Sequence, residues 1–156
     1  MFGVIILLCG CATPYQSMSF DGGYEQRQIA DDQYIVGFRG NSFTHYQDVR
    51  DFAFLRAAEI GERLGFKYMV VLSDADRSSM MLIDTGSTSY TTGAVYVNTI
   101  SATTQTYGGM TPAFKPGVNL SVMYFSNKPE KKYLELYEIS TLKAELETKH
   151  GMQLTH

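Results

Sequence analysis

The stretch from Tyr34 to Leu72 constrains the fold more than any other. Tyr34-Ile35-Val36-Gly37-Phe38 is a β-rich run bounded by Asp31-Asp32 and Gly40-Asn41. Val49, Phe52, Ala53, Ala57, Ile60 and Leu64 then recur at helical spacing as an apolar stripe, and Arg50, Asp51, Glu59, Glu62 and Arg63 fall mostly off it. Thr44 and Gln47 have the spacing of a capping box. Gly65 is a C-terminal stop, and Phe66 is placed to fold back onto Ile60. Tyr68-Met69-Val70-Val71-Leu72 is a nearly continuous apolar run suited to an interior strand. Strand, helix, strand makes a βαβ unit, with a right-handed crossover and parallel strands.

Further elements follow. Met80-Met81-Leu82-Ile83 reads as a third strand. From Thr85 to Phe114 there is no Asp, Glu, Lys or Arg, and Thr, Ser, Gly and Tyr dominate. Ala94 to Ile100 pairing with Thr103 to Tyr107 would make this insertion a hairpin that extends the sheet; the alternative is a low-complexity loop. Val118 to Phe125 alternates as a strand and ends at Asn127-Lys128-Pro129. A short helix capped by Ser140 carries Leu142 and Leu146 on one face and ends before Gly151. Lys143 with Glu147, and Glu145 with Lys149, have ion-pair spacing, and the tail beyond Gly151 is expected to fray. The expected fold is α+β: a compact domain over 33–156 with a βαβ unit, additional strands in a mixed sheet, a short C-terminal helix and an insertion at 85–114.

The front of the chain speaks to location. Met1 to Leu8 is an uncharged, mostly apolar run that ends in Leu8-Cys9-Gly10-Cys11, the pattern of a bacterial lipobox. The run is far shorter than the ~20 residues a spanning helix needs and matches the apolar region of a signal peptide, although no Lys or Arg precedes it. Residues 1–10 are then a signal peptide cut after Gly10. Cys11 becomes the first mature residue, bearing acyl chains such as palmitate, and two or more such chains anchor stably. Ala12, in place of Asp, resembles the signal of lipoproteins passed on to the outer membrane. Residues 11–32 read as a tether, with Asp21-Gly22-Gly23 as a turn. Cys9 and Cys11 are the only cysteines in the 156 residues, so the folded part has no thiol for a disulfide or a metal.

Several groups are candidates for chemistry. Asp74 and Asp76, placed in a loop after Leu72, pair two carboxylates that could hold a cation or small ligand, but the run lacks the glycine and distal Glu of an EF-hand. Arg39-Gly40-Asn41-Ser42, between strand and helix, could present a guanidinium and backbone amides to an anion. His45, His150 and His156 form no close-spaced metal pair, and the serines lack a G-x-S-x-G setting. Tyr90, Tyr96 and Tyr107 in the uncharged insertion, with Tyr124, have the amphipathic character of contact surfaces. No catalytic residue, metal site or cofactor is expected. A formal net charge of -3 gives no electrostatic reason for nucleic-acid binding.

Phe38-Arg39-Gly40-Asn41, Arg56-Ala57-Ala58-Glu59 and Gly65-Phe66-Lys67-Tyr68, together with the lipobox and the Gly/Ser/Thr/Tyr segment before a last strand, resemble a group of small proteobacterial lipoproteins of unknown function. The resemblance implies a Cys11 anchor and a compact α+β domain, and it brings no activity. The expected role is a non-enzymatic, lipid-anchored interaction or structural module of the outer membrane, facing the periplasm and an envelope protein partner. The alternative is a small-ligand or cation binder centred on Asp74 and Asp76.

Overall fold

The computed structural model describes residues 12–96 and 99–152. Among these residues nine elements follow one another: β1 (Gly23–Ala30), β2 (Gln33–Arg39), α1 (Tyr46–Arg63), β3 (Tyr68–Asp76), β4 (Ser79–Tyr96), β5 (Thr99–Lys115), β6 (Gly117–Phe125), β7 (Leu136–Glu138) and α2 (Ile139–Lys149). The fold is α+β, as expected. The chain divides into two compact units, Met1–Ser79 with Lys115–His156, and Met80–Phe114.

The larger unit is a five-stranded sheet of order β1-β2-β6-β3-β7. Strand alternation places Tyr34, Val36 and Phe38 of β2 and Val118, Leu120, Val122 and Tyr124 of β6 on one buried face. Both helices contribute to that core, through Val49, Phe52, Ala53, Leu55, Ala57, Ala58 and Ile60 of α1 and Ile139 and Leu146 of α2. The expected strand–helix–strand is present, and β2 and β3 run parallel to each other because each is antiparallel to β6. They are not neighbours, since β6 returns from far along the chain to lie between them.

The segment expected to be a tether is instead built into the fold. β1 is an edge strand paired antiparallel with β2, from Gly23 opposite Arg39 to Ala30 opposite Gln33. Its side chains are mostly exposed, so no hydrophobic alternation marks it in the sequence. Ahead of it, Thr13 is buried and Tyr15 packs against the core.

The ends of α1 also depart from expectation. His45 is the N-cap residue and makes no side-chain cap bond, so the Thr44–Gln47 capping box does not form. At the other end the Gly65 N–H donates to the Glu62 carbonyl and the Phe66 N–H to the Gly61 carbonyl, with Gly65 at φ +82°. That is a Schellman stop, which a glycine adopts without the strain a Cβ would bring. Phe66 stacks on Tyr124, with ring centroids 5.6 Å apart, and Leu64 turns outward. α2 starts from Glu138 as its N-cap residue, ahead of Ser140. Lys143 pairs with Glu147 as expected and also with Glu62 of α1, while Lys149 pairs with Asp51 in place of Glu145. Met152, in the tail expected to fray, packs against the core.

The uncharged insertion forms the smaller unit. β4 and β5 pair only with each other, as a two-stranded sheet whose arms are much longer than the expected hairpin. The Thr91 and Thr104 hydroxyls meet across it at 2.9 Å. It does not add to the five-stranded sheet, and Met80 to Ile83 is the start of its first arm.

Gly61 of α1 packs closely against α2 and β6. A Cβ there would lie 2.5 Å from Ile139 Cδ1 and 2.8 Å from Tyr124 Cε1. Helix propensity alone favours alanine over glycine by about 1 kcal/mol, but overpacking a filled core costs about 1–3 kcal/mol. Gly61→Ala should therefore lower the midpoint of urea unfolding. A raised midpoint would show that α1 and α2 are not packed this closely.

Candidate functional site

The site is built by the N-terminal segment as it closes one end of the sheet. Thr13 donates its backbone N–H to the Thr44 hydroxyl at 2.9 Å, and the same hydroxyl accepts the Asn41 N–H at 3.2 Å and donates to Asn41 Oδ1 at 3.0 Å. The Thr13 hydroxyl donates to the Asp21 carbonyl at 2.6 Å and accepts the Asn41 N–H at 2.8 Å. These bonds occupy the side chain that the sequence assigned to capping the helix. Gly22, at φ +102°, then passes so close to β2 that a Cβ would overlap the Arg39 carbonyl oxygen.

A second set of contacts holds the same segment. Tyr15 donates to Glu59 Oε2 at 2.6 Å, and Arg56 Nη1 donates to that same oxygen at 2.7 Å. The Arg56 Nε donates to Gln26 at 2.8 Å, and its guanidinium lies 4.2 Å from the centroid of the Tyr24 ring. Burial, then the Glu59 carboxylate, pushes the Tyr15 hydroxyl well above the ordinary tyrosine range, so it stays protonated as a donor. The Arg56-Ala57-Ala58-Glu59 run thus has a local meaning. Its ends clamp the N-terminal segment and β1, and its two fully buried alanines lie in the core.

Where these pieces meet, a pocket of about 480 Å³ opens. Its charged lining is Arg39, Arg77 and Lys115 against Asp21, and Met18 and Phe20 supply apolar surface. Arg39 lies 3.4 Å from Glu25, and both side chains are exposed. Among the described residues, Arg77 and Lys115 make no ion pair. Their positions come from three places in the chain: the end of β2, the turn after β3, and the end of β5. Sequence reasoning named Arg39 for an anion; it had no signal to join Arg77 and Lys115 to it, because only the antiparallel return of β6 brings those ends together.

The other sequence candidates fare differently. Asp74 and Asp76 lie in no loop: both are in β3, opposite Leu120 and Val118. A bulge between Val71 and Ser73 shifts the register by one residue. That puts the two aspartates on the helix-facing side, and Asp74 meets Arg50 of α1 at 2.9 Å. Asp76 Oδ1 accepts the Ser78 N–H at 2.7 Å, and these Ser78 bonds hold the Asp76 carboxyl below the usual carboxylate range. With Asp74 paired to a guanidinium, the arrangement does not favour a cation.

His150 is not an exposed tail residue. It lies 2.9 Å from Asp51 with its ring 4.7 Å from that of Phe52. Asp48, Asp51 and His150 do cluster closely enough to share an ion, but the Lys149 ammonium sits 2.6 Å from the same Asp51 oxygen, where it opposes one. Tyr124 is buried and donates to the Ala57 carbonyl at 2.7 Å, so it offers no contact surface. His45 is exposed at the start of α1. Gly10, Cys11 and His156 lie outside the described residues. Tyr90, Tyr96 and Tyr107 fall on β4 and β5, but their side chains also lie outside the description.

No family model, curated protein or solved structure matches this chain. No helix among the described residues is long and apolar enough to cross a membrane, which says nothing of strands.

The Thr44 hydroxyl is the joint of the site. Thr44→Val keeps the shape and leaves the Thr13 N–H buried without its acceptor, at a cost of about 1–3 kcal/mol. Urea unfolding monitored by circular dichroism should show that loss, and Ser at the same position should restore most of it. A valine variant as stable as the parent would mean that the segment is not held through this bond.

Proposed function

We propose that this protein is a lipid-anchored lipoprotein of the bacterial envelope, held at the outer membrane through acylated Cys11. Its α+β domain faces the periplasm as a non-enzymatic interaction or structural module. One observation carries the reading beyond the lipobox: Thr13, two residues after Cys11, is buried and hydrogen-bonded into the domain. Two extended residues span at most about 7 Å. The anchor is therefore fastened almost directly to the fold, and the domain lies against the membrane surface without a spacer.

The contact surface is the β4–β5 ribbon. Met80, Leu82, Met110 and Phe114 are each more than half exposed on it, and no charged side chain falls between Thr85 and Phe114. A two-stranded ribbon has unpaired backbone groups along both edges, and those can add to a partner's strand. The partner is an envelope protein; the net negative charge gives no attraction to nucleic acid.

The mature N-terminus should show a mass that begins at Cys11 with acyl chains, and Cys11→Ser should move the protein out of the membrane fraction. An unacylated chain that still begins at Met1 would sink this reading. Replacing 80–114 by a short glycine turn should leave the circular dichroism of the five-stranded unit intact and abolish cross-links to envelope proteins. Cross-links that persist unchanged would take the contact surface away from the ribbon.

A further inference from the structure

We infer that the pocket lined by Arg39, Arg77 and Lys115 takes the phosphate of an anionic phospholipid headgroup, from the leaflet in which the Cys11 acyl chains are embedded. The inference rests on the anchored reading above and adds a ligand to it.

The pocket lies beside Thr13. Thr13 bonds directly to Asp21 and Asn41, and both residues line the pocket. Cys11 is two residues away, so its Cα can lie at most about 7 Å from that of Thr13, and acylation there would hold the pocket near the bilayer surface. The whole chain is net negative at -3, yet this pocket gathers three cations against Asp21. Guanidinium and ammonium groups are the side chains that bind phosphate by charge-assisted hydrogen bonds.

The pocket also has an apolar rim. Phe20 is fully exposed on the turn between Ser19 and Gly22, and Met18 is beside it in the lining. An exposed aromatic ring next to basic residues is how a protein surface meets a lipid interface, with the ring among the acyl boundary and the cations at the phosphates. A free, fully hydrated anion would gain nothing from Phe20. The pocket's volume of about 480 Å³ is within the range of small-ligand sites and has room for a glycerophosphate headgroup.

The chain has no tryptophan, so Phe20→Trp gives a single emission reporter at the pocket. The acylated protein carrying it would be purified from membranes and reconstituted in vesicles of phosphatidylcholine, with and without phosphatidylglycerol. Phosphatidylglycerol should shift the emission to the blue and brominated phosphatidylglycerol should quench it. Each basic group near an anionic surface contributes roughly a fivefold preference. Arg77→Gln with Lys115→Gln should therefore weaken the preference on the order of 25-fold, at unchanged thermal unfolding. Arg27→Gln, an exposed cation of β1 outside this pocket, should keep it. The same emission in both vesicles, or a response that survives the double substitution, overturns the inference. So does inorganic phosphate reproducing the shift in phosphatidylcholine vesicles, since the ligand would then be the free anion. Anchoring is scored separately from the N-terminal mass. Acylated protein indifferent to phosphatidylglycerol removes the headgroup site alone; unacylated protein that still follows the lipid removes the anchor alone and supports the site.

Discussion

The Thr44 hydroxyl does two things that a helix cap would have prevented. It accepts the backbone N–H of Thr13 and that of Asn41. A hydroxyl at the N-terminus of α1 could instead have satisfied one of the free helix amides, worth about 1 kcal/mol. Spending it on Thr13 leaves α1 without a side-chain cap and fastens the segment around Thr13 to the turn between β2 and α1. The rest of this end of the molecule follows from that joint. Asp21 is drawn to the Thr13 hydroxyl, Gly22 is pressed against the Arg39 carbonyl, and β1 is fed into register beside β2.

Two of the runs on which the expected lipoprotein resemblance was based, Phe38–Asn41 and Arg56–Glu59, have structural roles in this arrangement. Phe38 enters the core, Arg39 faces the pocket, and Gly40 donates its N–H to the Pro116 carbonyl just ahead of β6. Arg56 and Glu59 close over Tyr15, Tyr24 and Gln26. Both motifs therefore hold the N-terminal segment in place. On the anchored reading proposed above, these contacts to residues 13–26 would keep the link from Cys11 to the domain short.

The parts legible in the sequence were those written as periodicity. The 3.6-residue stripe of α1, the buried run at the start of β3 and the alternation of β6 each encode one element by itself. Gly65 marked its stop because the Schellman geometry needs a left-handed residue at that place. What escaped were features that depend on distant partners. β1 is a solvated edge strand whose exposed side chains carry no apolar alternation. The bulge beyond Val71 turns Asp74 and Asp76 from an apparent loop into strand residues facing α1. Tyr124 looked like a surface tyrosine, but its hydroxyl reaches the Ala57 carbonyl in the core. The pocket was the least legible feature, because Arg39, Arg77 and Lys115 become neighbours only through the strand order of the finished sheet. Arg39 alone was visible, by its place between strand and helix.

With the chain folded from Thr13 onward, an acylated Cys11 would hold the domain directly on the membrane. Amide hydrogen exchange at Thr13, read by NMR in the acylated protein, tests it most directly. A buried amide bonded to Thr44 should exchange as slowly as the core amides of α1, because opening it requires the segment to come off the domain. Exchange at the rate of an unstructured chain, with α1 still protected, would show a free tether and contradict the account.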